Sequence, residues 1–301
     1  MLRISISAVV AIGLLAACGG DGEPDGLADR PGAQGCTAQY RQSFEGAQAY
    51  PTVASSELAV GQNHILMGLL NDDDAPIGSP QIDMHVDFVD LAECSDGPAF
   101  GKDMRFLWSI KPVVGLYAAD VKFDSAGEWG AVVAIRGEGI DETLKTSFSV
   151  AEESSAPEIG EVPPATDTPT SEDVKDLSQI STDKNPDPQF YERSIEEALE
   201  AKEPFLVIFA TPKFCQTQTC GPMLDIVKGV AKDFPKMTFI HVEPYELPAD
   251  PSNLQPVKAA LDWGLKSEPW TFVMDSDGAV AAKYEGALDP AELRSELKKL
   301  K

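Results

Sequence analysis

Hydrophobic and polar residues alternate along several short runs in the first half of the chain. In one run Ile82, Met84, Val86 and Phe88 are separated by single polar residues. The same spacing recurs at residues 117–123, 129–135 and 144–150, and turn residues such as the DSAGE stretch lie between the runs. A period of two with intervening turns is typical of antiparallel strands that bury one face. The pattern therefore predicts an all-β sandwich over residues 36–151.

The second half of the chain changes to an alternation of helical and strand patterns. Ser194 and Glu197 form the capping-box signature of a first helix. Asp289 followed by Pro290 is the expected start of a last helix. Between these helices the pattern predicts strands at residues 205–210, 238–242, 271–274 and 279–284, and helices at 224–234 and 256–263. The order predicts an α/β domain over residues 176–301 whose last two strands form a hairpin.

Residues 152–175 separate these two regions. The segment is dense in Pro, Ser, Thr, Asp and Glu and holds few large apolar residues. Burial of such a segment offers little to offset the entropy lost on ordering. We therefore expect an acidic, proline-rich linker between the two domains.

The chain begins with a basic residue, Arg3, and an apolar run over residues 4–17. This run is too short to span a membrane and is typical of a signal peptide, here residues 1–17. The sequence Leu-Ala-Ala-Cys at residues 15–18 resembles the lipobox of bacterial lipoproteins. The resemblance implies a lipid on Cys18, a polar tether over residues 18–35 and a location on the extracytoplasmic face of a bacterial membrane.

Composition and charge exclude several classes of function. Of 301 residues 43% are hydrophobic, enough to build a core, while 49 acidic residues against 24 basic ones give a formal net charge of −25. Such a surface repels phosphate backbones and argues against a nucleic-acid partner. The sequence has neither a phosphate loop nor a Gly-x-Ser-x-Gly motif, and it holds three histidines.

With Cys18 assigned to the lipid, four cysteines remain, and four cysteines allow three pairings. The domain boundary selects Cys36 with Cys94 and Cys215 with Cys220. A bridge that closes a loop of about 58 residues restricts the unfolded chain by about 4 kcal/mol, whereas one that closes about six residues gives only about 2 kcal/mol. The first pair is therefore predicted to be a structural disulfide, and the second to have a chemical role.

Two stretches of the second domain carry a more specific resemblance. The strand, active-site turn and helix of the thioredoxin family resemble the stretch FLVIFATPKFCQTQTCGPMLDIV. The closing hairpin and last helix of that family resemble the stretch EPWTFVMDSDGAVAAKYEGALDPAELRSELKKL. The resemblance implies a thiol–disulfide oxidoreductase without a cofactor, acting on extracytoplasmic protein thiols and disulfides. It makes Cys215 the nucleophile and Cys220 the resolving thiol, and it places Pro269 beside the substrate groove. GLYAADVKFDSAGEWGAVVAI, in the first domain, resembles the closing hairpin of immunoglobulin-like domains.

Helix geometry adds a requirement to this assignment. Residues five apart within one helix point about 140° apart, so Cys215 and Cys220 could not bond there. Residues 216–219 must then form a loop that folds Cys215 back over a helix beginning near Cys220. The spacing CxxxxC is two residues longer than the CxxC of the family, and the strand FLVIFA lacks the buried acid that assists proton transfer in thioredoxin.

Other interpretations remain open at this stage. A second alignment makes Cys220 the nucleophile and puts Met223 in place of its partner. Copper chaperones of the same fold hold Cu(I) with two cysteines and a histidine, a role that His241 could fill. Copper could also bind to the first domain, at the residues His64, Met67, Met84 and His85. A non-catalytic binding module, with a disulfide that only shapes a loop, is the remaining alternative.

Overall fold

The computed structural model describes residues 33–40, 44–93 and 97–300. The predicted signal peptide, Cys18, the tether up to residue 32 and Cys94 lie outside the described residues. In the described ranges no helix is both long and apolar enough to cross a membrane.

The first part of the chain forms a short helix and one antiparallel sheet of seven strands. The sheet order is β1-β2-β5-β4-β3-β6-β7. The outer strands β1 and β7 approach each other, so the sheet nearly closes on itself. The elements are α1 (Ala33–Gln39), β1 (Ala49–Val53), β2 (Gly61–Asn71), β3 (Asp83–Asp90), β4 (Phe100–Ile110), β5 (Val114–Phe123), β6 (Gly127–Gly137) and β7 (Ile140–Val150).

The period-two pattern correctly identified the inner face of this sheet. The alternating apolar residues of β3, β5 and β6 are buried together in one core, which includes Phe88, Phe123 and Trp129. The all-β antiparallel prediction is therefore confirmed. The division into two facing sheets of an immunoglobulin-like sandwich is not confirmed, because the strands form one continuous, curved sheet. Alternation specifies which face is buried, but it does not specify whether that face meets a second sheet or its own far side.

The second part of the chain forms a four-stranded mixed sheet in the order β11-β10-β8-β9. Strands β8 and β9 are parallel, whereas β10 is antiparallel to both β8 and β11. Two 3₁₀ turns, Leu177–Gln179 and Pro188–Tyr191, precede it. The elements are α2 (Ile195–Ala201), β8 (Phe205–Phe209), α3 (Cys220–Ala231), β9 (Thr238–Val242), α4 (Lys258–Asp262), β10 (Trp270–Met274), β11 (Val280–Glu285) and α5 (Pro290–Lys299).

Helices pack on both faces of this second sheet, and the core on one of these faces also includes residues of the first sheet. Helices α2 and α4 pack on one face, around Trp263. Helices α3 and α5 pack on the other face, where Leu66, Leu107 and Ala118 from the first sheet join the same core. These three residues lie on the outer face of β2, β4 and β5. The two sheets therefore meet through an apolar interface.

Residues 152–175 pack against the second sheet and its helices. Ala156, Thr166 and Thr168 are buried. The backbone at Gly160 donates to Val280 O of β11, and the indole of Trp263 donates to Pro164 O. The segment has no helix or strand of its own, yet it is held in place by these hydrogen bonds and by Ala156, which belongs to the core around Trp263. Its role as the boundary between two domains remains a prediction.

Candidate functional site

Cys215 and Cys220 lie where strand β8 passes through a loop into helix α3. The two cysteines form a disulfide with Cα atoms 6.0 Å apart. The loop is closed by Cys215 N donating to Thr211 O at 3.1 Å and by Gln218 N donating to Cys215 O at 3.3 Å. Helix α3 begins at Cys220. The predicted loop over residues 216–219 that folds Cys215 back over the start of the helix is therefore confirmed.

The two cysteines differ sharply in exposure. Cys220 is completely buried, whereas Cys215 is partly exposed and its neighbours at 216–218 are exposed. The Cys220 backbone N–H donates to Cys215 Sγ at 3.3 Å, and Thr217 Oγ1 lies 3.3 Å from the same sulfur. Unpaired N–H groups at a helix start stabilise a sulfur anion. Cys215 Sγ is therefore both the more exposed sulfur of the pair and the one that the N–H group at the helix start contacts.

Pro269 follows a cis peptide bond at Glu268 and lies directly before strand β10. Strand β10 pairs with β8, so this proline lies at the same end of the sheet as the loop that carries the cysteines. Gly286 N donates to Pro269 O at 2.8 Å, which joins the residue to the turn after β11. The role of Pro269 in substrate binding remains a prediction.

Glu268 belongs to this site, although the sequence analysis did not select it. Its carboxylate lies with the sulfurs of Cys215 and Cys220 in a group whose ligand atoms are all within 4.8 Å of one another. Tyr245 Oη donates to Glu268 Oε2 at 3.0 Å. Burial raises the pKa of the Glu268 carboxyl, and the bond from Tyr245 partly opposes this rise. Its position next to Pro269 is the one feature of the sequence that could have indicated that Glu268 lies near the cysteines.

A second acid, Glu243, lies at the end of strand β9. The residue is 5% exposed, and burial raises the pKa of its carboxyl. Thr182 donates to Glu243 Oε2 from its backbone N at 2.9 Å and from its hydroxyl at 2.6 Å. The negative charge of Glu268 further raises the pKa of Glu243. Glu243 therefore neighbours Glu268, which is the carboxyl group that lies beside the two sulfurs.

His241, the proposed copper ligand, already uses both of its ring nitrogens. Nε2 lies 2.8 Å from Ala210 O, and Nδ1 lies 2.6 Å from the hydroxyl of Tyr191. A carbonyl only accepts, so Nε2 carries the proton and Nδ1 accepts from Tyr191. Burial lowers the pKa of this imidazole to about 4. This arrangement leaves no lone pair for copper, so the geometry does not favour the histidine-based copper site.

The remaining residues of the alternative interpretations either lie in a hydrophobic core or form hydrogen bonds with carboxylates. Met223 is buried, and its Sδ accepts from Leu288 N at 3.4 Å, so it is part of the α3–α5 core. Met67 and Met84 are buried in the core of the first sheet. His64 and His85 form hydrogen bonds with carboxylates, His64 with Asp120 at 2.8 Å and His85 with Asp103 at 2.6 Å. The structure does not bring these four residues of the first sheet together as a copper site.

Only one cysteine of the predicted structural disulfide lies among the described residues. Cys36 is disulfide-bonded. Cys94 lies outside the described residues, and the pairing of Cys36 with Cys94 remains a prediction.

Comparison with known proteins gives weak structural similarities. No family model matches the chain, and no curated protein matches it. The chain is similar to MTB dsbF in its mixed oxidized and reduced forms, with a TM-score of 0.28, 19% identity, and coverage of 36% of this chain and 87% of that chain. It is also similar to a putative glycoside hydrolase from Bacteroides vulgatus ATCC 8482 (TM-score 0.23, 12% identity, 49% of this chain and 26% of that one). A third similarity is to the Lin-41 filamin domain (TM-score 0.19, 11% identity, 33% and 92%). Scores this low leave the functional assignment to the geometry of the chain itself.

Proposed function

We propose that this chain is a thiol–disulfide oxidoreductase that acts on protein disulfides through Cys215 and Cys220. The single observation that carries the proposal is the asymmetry of the pair. A partly exposed sulfur is bonded to a fully buried one at the first residue of a helix. This is the arrangement in which one thiol meets the substrate and the other resolves the mixed disulfide.

The arrangement of elements supports a thioredoxin-like fold for residues 176–301. A buried strand leads through a turn to the helix that carries Cys220, and cis-Pro269 stands at the neighbouring strand. The closing hairpin of β10 and β11 is followed by the last helix, α5. These features support the resemblance of residues 176–301 to the thioredoxin family.

The proposed exchange proceeds in two steps, written here in the direction of substrate reduction. The Cys215 thiolate attacks a substrate disulfide, a mixed disulfide forms, and one substrate sulfur leaves as a thiolate. The Cys220 sulfur then attacks Cys215 Sγ, and the second substrate sulfur leaves. The substrate gains two electrons, and the pair loses them as its own disulfide forms. Oxidation of a substrate dithiol is the reverse sequence.

We also propose that the protein is anchored by a lipid on Cys18 at the extracytoplasmic face of a bacterial membrane. The Leu-Ala-Ala-Cys sequence after an apolar run supports this proposal. Mass spectrometry of the mature N-terminus would show an acylated Cys18, and an unmodified N-terminus at another residue would contradict it.

Trapping of the mixed disulfide tests the proposed function. Cys220→Ser removes the resolving thiol, so we expect covalent complexes with a disulfide-containing protein to accumulate through Cys215. Cys215→Ser is the matched control and should form none. Complexes formed only by Cys215→Ser would make Cys220 the nucleophile. If neither variant traps a substrate and the wild type reduces no model disulfide, the chain is a binding module instead.

A further inference from the structure

Resolution of the mixed disulfide requires the Cys220 thiol to lose a proton in a place that water does not reach. Cys220 is completely buried. Strand β8, which leads to the site, consists of five apolar, buried residues, so it offers no acid. The thiolate is the nucleophile in thiol–disulfide exchange, and a nearby base raises its fraction. The site therefore needs a proton acceptor from another element.

Glu268 is the side chain that the structure places in that position. Its carboxylate lies within 4.8 Å of both sulfurs, a separation that a small rotation of the carboxyl group can close. The peptide bond to Pro269 joins this residue to the start of β10, and the hydrogen bond from Tyr245 fixes its carboxyl group. Glu268 is thus held beside the disulfide both by the start of β10 and by Tyr245, which lies in the segment after β9.

The surroundings adjust the acidity of Glu268 for this task. The titratable groups that face it are Tyr245 and Glu243, which follow β9, and the two cysteines of the loop before α3. Burial raises the pKa of the Glu268 carboxyl towards that of a thiol. A base exchanges protons most effectively with a group of similar pKa near the working pH.

We propose that the Glu268 carboxylate accepts the proton of the Cys220 thiol when Cys220 attacks the mixed disulfide, and returns it in the reverse reaction. This inference rests on the proposed function. In the forward step the Cys220 S–H bond breaks and its proton goes to a Glu268 oxygen. The new S–S bond forms to Cys215, and the bond from Cys215 to the substrate sulfur breaks. The leaving thiolate takes the electron pair of that bond, and the proton passes from Glu268 to the leaving thiolate or to water.

Stopped-flow reaction of the reduced full-length protein with an aromatic disulfide, 5,5′-dithiobis(2-nitrobenzoate), separates the two steps. The first release of coloured thiolate reports attack by Cys215, and the second reports resolution by Cys220. For Glu268→Gln we expect the second phase at pH 6.5 to slow by about 10- to 100-fold, while the first phase changes by less than about threefold. The deficit should shrink as the pH rises, because hydroxide then removes the proton instead.

If Glu268 acted only through its negative charge, Glu268→Gln would speed the reaction instead of slowing it. Loss of a negative charge beside the sulfurs favours the thiolate, so both phases would become faster. Glu246→Gln is the matched control, because it makes the same change of charge at an exposed position next to Tyr245 and should leave both phases unchanged. Cys215→Ser gives the baseline from other thiols. Glu268→Asp should recover part of the second phase.

Failure of this inference is distinguishable from failure of the proposed function. If Cys220→Ser traps substrate and Glu268→Gln resolves at the wild-type rate over the whole pH range, the proton-transfer role is wrong and the oxidoreductase stands. If the wild type shows no second phase and Cys220→Ser traps nothing, both are wrong. A Glu268→Gln protein that is slow in both phases to the same extent at every pH would show a structural role and would also overturn the inference.

Discussion

At the scale of single residues, burial determines which groups near the site can ionise. Glu243 and Glu268 have raised pKa values because their carboxylates lose water, and His241 has a lowered pKa because its cation does. Each of these side chains also has a hydroxyl group within hydrogen-bond distance: Thr182 for Glu243, Tyr245 for Glu268 and Tyr191 for His241. These buried groups are therefore charged less readily than they would be in water, in a chain whose formal net charge is −25.

His241 allows a quantitative prediction of pH dependence. The unfolded histidine binds a proton near pH 6.5, whereas the folded one does so only near pH 4. Its contribution to stability is therefore complete above pH 6.5 and is lost as the pH falls towards 4, by about 3 kcal/mol in the free energy of unfolding. For His241→Asn, which keeps one donor and one acceptor without titrating, we expect a shallower loss of stability in urea unfolding between these pH values.

His85→Asn is the control for this measurement. The hydrogen bond with Asp103 raises the pKa of that half-exposed imidazole, so its removal should not reduce the acid-induced loss. Equal slopes for the wild type and His241→Asn would show that His241 does not titrate as described.

At the scale of elements, local signals defined most helices and strands. The capping box predicted from the sequence at Ser194 and Glu197 is present, with Glu197 N donating to Ser194 Oγ at 3.1 Å. Helix α5 begins after Asp289, whose side chain accepts from Ala291 N and Glu292 N. The packing of residues 152–175 could not be predicted in this way, because several of its hydrogen bonds join residues more than 90 positions apart in sequence.

Gly264 tests how tightly that segment is held. The residue follows α4 with φ +63°, and a Cβ atom there would overlap the backbone oxygen of Ser155. Gly139 has φ +87° with nothing near a Cβ position, so it is a matched control for the backbone conformation alone. We expect Gly139→Ala to lower the free energy of unfolding by about 1 kcal/mol and Gly264→Ala by at least about 2 kcal/mol. Equal losses in thermal or urea unfolding would show that residues near 155 are free to move away.

At the scale of the whole molecule, the two sheets are joined by a common core and by polar contacts at its margin. Leu66 from β2 belongs to the core that α3 and α5 form with the second sheet. Beside it, Arg105 of β4 forms a salt bridge with Glu292 of α5, and His64 stacks edge-on against Tyr284 at 5.3 Å between ring centres. The proposed redox site is therefore carried by a sheet that the first sheet supports from one side.

Adjacent residues on β2 give a matched pair for this interface. Leu66 faces the second sheet, whereas Met67 lies in the core of the first. Replacement of either by Ala should cost about 2–5 kcal/mol in the free energy of unfolding. In hydrogen exchange followed by mass spectrometry, Leu66→Ala should weaken protection in both β5 and β8, and Met67→Ala mainly in β5. Protection lost in β5 alone after Leu66→Ala would contradict a shared core.

Much of the fold and half of the site could be predicted from the sequence. Alternation along residues such as Met84, Val86 and Phe88 determined the strands and their inner face, because side chains on a strand point to opposite sides. The spacing of Cys215 and Cys220 required a loop before the helix, because residues five apart on a helix diverge. These inferences succeed because each depends only on neighbours in the chain.

Only the tertiary structure decided the rest. Closure of the first sheet depends on how its strands curve, which the alternation does not encode. Leu66 could not be assigned to a second core, because its partners come from the other half of the chain. Glu268 joins Cys215 and Cys220 because strands β8 and β10 pair although they are about 60 residues apart in sequence. The local sequence pattern thus determined the helices and strands. Contacts between distant segments determined which side chains lie beside the disulfide.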